Sequence, residues 1–563
     1  MANTMADPHK KRSATTAVFC FALSLNSLAQ TSYTSPAQTN STIPGQTNNA
    51  NSTQPNTSNP AQTNNNGLGP TDNTGAAQPR DFTVTPTLLT EETYNDNVLL
   101  APSGTPLTSA FITEITPRLA IVEDGPRFKM NFDYAIQHLT YSGDAHTERT
   151  NQMLAATSTA ELIDHLLYLD DSANINQQNQ TPFGQATPNN LSISSDRLTV
   201  RTLSIAPYLK TATSDLLMEL RFMRDFVRTS LGALTDSDAS TVSMNVKSGP
   251  SFKAVDWGLQ YNDQTIYYPN QNNIVMESIL ANTGVHLTPE FALTASAGYE
   301  KDNYVSLYQT QPEGADWSAG FEWTPSERTR VAASAGHHFY GDTYMLNASE
   351  RTFASVWSLG YNTGLTTSRS QFLVPVATNT FDFLNSLWQS SIPDAAQRQL
   401  IINAFIQNTG LPATINTPIN TISDQVFLQK DLQGSVALTG AQNTILLSIF
   451  DLQRDAQTAE ITATAVTNNL SLLNNTRQRG GNIIWNHTFG PRTNSILMDG
   501  YSRAISVDTG IAYNNNIITA SLNHQLLPKL KATLQYERIR NDSNYVSGNY
   551  IQNLISAMLT FSF

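Results

Sequence analysis

The chain has a single cysteine, Cys20, and no apolar run of bilayer length after its N-terminus. Without runs of about 20 apolar residues it cannot cross a membrane as a bundle of helices. Cys20 falls inside residues 1–29, which read as a secretory signal peptide. Lys10, Lys11 and Arg12 form the basic region, Ala14 to Leu25 the apolar region, and Ser27-Leu28-Ala29 the small residues before cleavage. The mature chain then lacks cysteine, which excludes disulfides, zinc–cysteine sites and thiol catalysis. Charge is also scarce, at 14% of residues against about 25% in ordinary globular chains. The net charge is -13 and no basic run occurs, which argues against nucleic acid as a partner.

Catalytic patterns are missing too. There is no Gly-rich phosphate loop. His337 and His338 are adjacent and would point to opposite faces of a strand, so they cannot share one metal. His138, His286, His487 and His524 have no evident nucleophile beside them. The expectation is a protein that is not an enzyme and uses no cofactor and no metal.

What is present is polar. Residues 30–79 are almost entirely Asn, Gln, Thr, Ser, Pro, Ala and Gly. Such a stretch cannot bury enough apolar surface to order itself, so it reads as a disordered periplasmic tether. From Arg80 the dominant period is two. Phe128, Met130, Phe132, Tyr134 and Ile136 alternate with Lys129, Asn131, Asp133, Ala135 and Gln137. Phe291 to Glu300, Asp316 to Trp323 and Val255 to Asn262 repeat the pattern. Each segment thus offers one apolar and one polar strand face.

A soluble β-sandwich alternates as well, but three features favour a barrel in a membrane. First, Ile555, Ala557, Leu559, Phe561 and Phe563 form an apolar stripe ending on an aromatic terminus, the form of an outer-membrane assembly signal. Second, the Gly/Pro-rich turns at 123–126, 248–250, 287–290, 324–327, 490–492 and 527–529 are tight. The stretches 178–196, 229–241, 302–315, 455–480 and 541–548 are long and polar. If the first strand rises from the periplasm near Phe82, the tight turns all fall on the periplasmic side and the long loops outside. Third, Tyr94, Tyr134, Tyr141, Tyr261, Tyr299, Trp317, Trp323, Tyr361 and Tyr536 sit near strand ends, as interface girdles would. The fold class read from this is all-β. It is a single large antiparallel transmembrane β-barrel of about 22 strands, range roughly 18 to 22, over residues 80–563.

Residues 370–428 break the rhythm. Phe381, Leu384 and Trp388 are spaced for one helix. Pro393-Asp394, then Leu400, Ile401, Ala404 and Phe405, mark a second. This two-helix insertion is a capped surface loop, or a plug or lid for a wide lumen. The polar faces carry Lys129, Asp133, Glu219, Arg221, Asp256, Glu300, Asp316, Glu322, Lys531 and Glu537. A charge facing lipid costs ~2–4 kcal/mol at midplane, so these are expected to line the lumen, paired across it or along a path.

Three stretches resemble one family of outer-membrane barrels associated with PEP-CTERM/exosortase systems and exopolysaccharide loci. They are Pro86 to Leu100, containing Glu92-Thr93-Tyr94-Asn95-Asp96-Asn97-Val98; Ala206-Pro207-Tyr208-Leu209; and Ile392-Pro393-Asp394-Ala395-Ala396-Gln397-Arg398 through Gly410-Leu411-Pro412. The long Asn/Thr/Gln tether departs from that family. The resemblance implies a barrel in the outer membrane of a Gram-negative bacterium, working with polysaccharide and export-system components. Expected partners are the lipid bilayer and the barrel-assembly machinery. Three functions stay open: a channel or assembly factor for exopolysaccharide export, a general or nutrient porin, and a non-conducting structural or receptor barrel.

Overall fold

Alternating segments become strands because every backbone group inside a bilayer must find a partner, and only a closed sheet supplies one on both sides of each strand. The computed structural model describes residues 82–563 except 186, 195, 231–235, 270–271, 308–310, 374–383, 386–401, 403–417, 420–422, 424, 459–473 and 545–548. The signal peptide 1–29, the tether 30–79 and most of the two expected helices lie outside the described residues.

The strands are β1 (Phe82–Asn95), β2 (Ala110–Asp124), β3 (Phe128–Tyr141), β4 (Thr147–Ile163), β5 (Leu167–Asn179), β6 (Arg197–Ala212), β7 (Leu216–Thr229), β8 (Ser237–Ser248), β9 (Val255–Tyr267), β10 (Ile274–Thr288) and β11 (Phe291–Asp302). The second half comprises β12 (Glu313–Ser326), β13 (Thr329–His338), β14 (Gly341–Arg351), β15 (Ser355–Thr367), β16 (Val426–Thr439), β17 (Asn443–Ala456), β18 (Asn475–Gly490), β19 (Thr493–Ser506), β20 (Ala512–Leu527), β21 (Leu530–Ser543) and β22 (Tyr550–Ser562). A short helix, α1 (Ser368–Leu373), follows β15. Each strand pairs antiparallel with the next, and β1 closes on β22 from Thr87↔Ser562 to Asn95↔Leu554. The ring of 22 strands therefore has no free edge.

The connections sort by end. Those at 125–127, 164–166, 289–290, 327–328, 491–492 and 528–529 are tight and share an end with Phe82 and Phe563. The other end carries 96–109, 180–196, 303–312, 368–425 and 457–474. The sorting is not complete: 339–340 is a tight turn at the long-loop end, where β13 and β14 stop short, and 142–146 and 507–511 there are shorter than 249–254 at the other end. The outward faces expose Phe111, Ile279, Leu293, Trp317, Trp357, Ile449, Trp485, Leu534, Ile555 and Leu559. An apolar outer band on a closed barrel, with short turns on one side and long loops on the other, is the architecture of an outer-membrane protein. The chain is an outer-membrane β-barrel.

Two expectations need correction. Tyr141 is not part of an aromatic girdle. It shares the inward face of Gln137 and Leu139, is 2% exposed, and donates to the Asn190 carbonyl at 3.3 Å. Nor do all surviving charges face inward. Glu92 has the outward parity of Tyr94, where its carboxylate accepts from Thr113 Oγ1 at 2.7 Å, a bond that offsets part of its desolvation.

Candidate functional site

The lumen-facing wall comes first. Lys129, Asp133, Glu219, Arg221, Asp256, Glu300, Asp316, Glu322, Lys531 and Glu537 all have the parity opposite to the exposed apolar band, so each projects inward. Most meet a neighbour on the same or an adjacent strand. Arg118 Nε donates to Asp133 at 2.8 Å, and Lys129 reaches Asp124 at 2.6 Å. Arg221 bonds Asp170 at 2.8 Å and Glu219 at 3.0 Å, with its guanidinium 3.9 Å above the Tyr208 ring. Asp256 meets His286 at 2.8 Å, Glu300 meets His338 at 3.1 Å, and Glu322 meets Arg330 at 3.0 Å. Such pairs suit a polar wall, because each charge keeps a partner without reaching across open water.

Loop residues pack against the inner wall, from Ile112, Leu139 and Ile539 toward the long loops down to Leu446 and Ile496, three residues from the opposite strand ends. Val98 and Leu100 from 96–109, Leu191 from 180–196, and Leu384 and Ile402 from 368–425 form one apolar cluster. Its other members include inward wall residues Ile112, Leu139, Leu446, Ile484, Met498, Ile517, Ile539, Tyr550 and Leu554. Of the expected plug or lid residues, Leu384 is thus buried inside the barrel, whereas Phe381, Trp388, Leu400, Ile401 and Phe405 lie outside the described residues. Burying Leu384 and Ile402 stabilises this cluster by about 1.5–3 kcal/mol each.

Hydrogen bonds, most of them from amide side chains, fix the loops to the wall. The Asn97 amide donates to the carbonyls of Ala101 and Ile551, both at 3.0 Å, and its oxygen accepts from Ala101 N at 2.8 Å. Asn189 donates to Glu537 at 2.7 Å, and Asn190 to Gln137 at 2.8 Å. Gln552 donates to Ser192 at 2.8 Å. The Gln478 side chain brackets Ile419, accepting from its N–H and donating to its carbonyl, each at 2.8 Å. Leu100 is held at φ 55, a left-handed conformation that a bulky residue adopts only when its surroundings impose it.

The strands close in as well. On β15, Trp357 and Leu359 are exposed outward, but Leu365, of the same parity, is buried. Leu365 and Val426 pack on Ile266, Ile274 and Met276, which belong to the inward faces of β9 and β10. The ends of β15 and β16 therefore cross into the lumen. α1 then reaches the far wall, where Phe372 packs on Leu198, Val200 and Val227. Arg369 forms an ion pair with Asp225 and donates to Ser237 Oγ at 2.9 Å and to the Asp225 carbonyl at 3.1 Å.

No family model and no curated protein matches the chain. Solved structures of similar fold include the siderophore receptor PirA from Pseudomonas aeruginosa, 10% identical over 86% of this chain and 81% of that one, with TM-score 0.42. The FrpB iron transporter from Neisseria meningitidis (F3-3 variant) is 9% identical over 85% of this chain and 81% of its own, with TM-score 0.47. The outer membrane protein opdK from Pseudomonas aeruginosa is 9% identical over 85% and 99%, with TM-score 0.32. Similarity at this level carries nothing about cargo or mechanism.

A plug or lid is among the expectations for 370–428, but the part played by 96–109 and 180–196 is not, although the cluster leaves a trace. Leu446-Leu447, Ile483-Ile484, Ile496-Leu497-Met498, Ile517-Ile518 and Leu554-Ile555 are apolar on both faces. A strand with water on its inner side has no reason to be so, and doubly apolar strands signal burial on both faces. Arg369 and Asp225 carry no comparable signal.

Proposed function

We propose that this barrel is a gated channel for exopolysaccharide export, linked to an exosortase-type sorting system and inserted by the barrel-assembly machinery. The observation that carries the gating is the apolar cluster that three loops, covalently part of the wall, build against the inner face of the barrel. Their attachments are mostly neutral amides and hydroxyls, whose individual net worth is about 0.5–1.5 kcal/mol. Those bonds are able to exchange for water or for sugar hydroxyls at small cost, whereas the buried Arg369–Asp225 pair anchors the start of 368–425 more firmly.

The cargo reading is supported by the resemblance of residues 86–100 and 206–209 to barrels of polysaccharide loci. It is also supported by the inner wall. Asn131, Asn174, Asn245, Gln260, Asn282, Ser296 and Ser318 project inward between the ion pairs. Tyr168 and Tyr208 stack there at 5.2 Å. Neutral hydrogen-bonding groups with an aromatic face suit a polyhydroxylated chain.

Single-channel conductance of the refolded barrel tests this, comparing the full chain with a form lacking residues 374–424. A small conductance that rises on deletion and is blocked by added polysaccharide is the expected result. A large conductance indifferent to polysaccharide points to a porin. If neither form conducts, the apolar cluster seals the lumen permanently and the protein is a structural or receptor barrel.

A further inference from the structure

The outward faces of β17–β21 change character along their length. In the membrane band they expose Ile449, Ile483, Trp485, Leu497, Leu534 and Tyr536. Closer to the long-loop end, residues of the same parity are arginines: Arg477 and Arg479 on β18, Arg503 on β19, Arg538 and Arg540 on β21. The register draws them together. Arg479 pairs with Arg503, Arg503 with Asn514, and Arg540 with Asn516. One outward patch spanning four strands thus presents guanidinium groups just above the apolar band.

Local acids neutralise only part of it. Asp451 takes Arg477 at 2.6 Å and Arg479 at 3.1 Å, and Asp542 takes Arg540 at 2.7 Å. Arg503 and Arg538 are exposed and have no carboxylate partner among the described residues. Arg479 and Arg503 stand directly opposite each other, and like charges in that relation destabilise a strand pair. The chain as a whole carries a net charge of -13, so this concentration of cations runs against its overall composition. An anion outside the protein would relieve the repulsion.

The position names that anion. With the long loops outside the cell, the patch lies at the level of the outer-leaflet headgroups. In an outer membrane these belong to a phosphorylated glycolipid. A planar guanidinium matches a phosphate bidentately, and it is more weakly hydrated than an ammonium. We propose that Arg479, Arg503 and Arg538 bind the phosphates of lipid A, with the acyl chains lying on the apolar band below. This contact fixes the barrel in its native leaflet and is independent of what the lumen transports.

The test uses the full chain extracted in mild detergent, with bound lipid counted by native mass spectrometry. Purified lipid A and its dephosphorylated form are added back separately. Wild type is expected to retain lipid A. The variant Arg479→Gln/Arg503→Gln/Arg538→Gln, still heat-modifiable, should retain at least tenfold less. Dephosphorylated lipid A should bind wild type no better than lipid A binds the variant. Equal retention by both proteins, equal binding of the dephosphorylated form, or preferential retention of glycerophospholipid would each overturn the proposal. If the triple variant does not fold, Arg503→Gln alone should still lower retention several-fold, and unchanged retention there would equally reject it.

Discussion

Arg369 and Asp225 form an ion pair inside the barrel, 3% and 0% exposed, although 144 residues separate them. It ties the helix after β15 to the wall at β7. Removing one member of such a pair leaves the other charge buried and unpaired, a loss of about 3–5 kcal/mol. Arg369→Ala is therefore expected to release α1. Hydrogen exchange across 368–373 should rise, and channel openings should become more frequent. Exchanging the partners, Asp225→Arg with Arg369→Asp, should recover part of the closure. Unchanged exchange in the single variant would mean that the pair does not hold the helix.

The loop 180–196 should loosen as pH rises. Asp196, outside the strands, is buried, and desolvation pushes its carboxyl up to about 8 despite a bond from the Thr181 backbone and the charge of Arg197. Its surroundings are close: a side chain at position 184 would collide with the carboxylate. The packed loop thus holds a proton that the open loop releases. Between about pH 4 and 8 the closed form binds more protons, so its stability falls with rising pH and levels off above 8. Protease access to the loop should increase over that window in wild type. Asp196→Asn should flatten the profile, and an unchanged slope would assign the dependence to another group.

Membrane insertion should separate the two faces of the last strand. Leu559 is outward and exposed, whereas Thr560 is inward opposite Lys531. Leu559→Arg places a cation on the lipid face three residues from the periplasmic strand end, where the cost is below the ~2–4 kcal/mol of the midplane. It should reduce the heat-modifiable folded fraction. Thr560→Glu meets Lys531 across the strands and should fold like wild type. Equal folding of the two would contradict the assigned faces.

Leu384 and Ile402 offer a direct test of the closure, since both are fully buried in the luminal cluster. Leu384→Asp or Ile402→Asp would bury an unpaired carboxylate, so the insertion should leave the cluster instead. Dye labelling of a cysteine introduced at Ser423 should then accelerate, while the barrel stays folded because its wall is untouched. Labelling at the wild-type rate would place the insertion's anchor elsewhere.

The barrel itself was legible in the sequence because its determinants are local. Period-two alternation assigns faces strand by strand, Gly/Pro turns set the hairpins, and the stripe from Ile555 to Phe563 marks the last strand. These put the strand count at about 22 within a range of roughly 18 to 22, and gave the expected inward parity of Lys129, Asp133, Glu219 and the other polar-face charges. The doubly apolar pairs such as Ile483-Ile484 were legible in principle, but alternation alone does not say what covers an inner face.

Only the tertiary structure decided what packs against the inner wall. The gathering of Leu384 into one cluster with Leu446 and Ile484, that of Leu365 with Ile274 and Met276, and the pairing of Arg369 with Asp225 join segments far apart in the chain. Such contacts depend on the diameter and shape of the closed ring, which set where a loop from one wall lands on another. No periodicity within a strand encodes that distance.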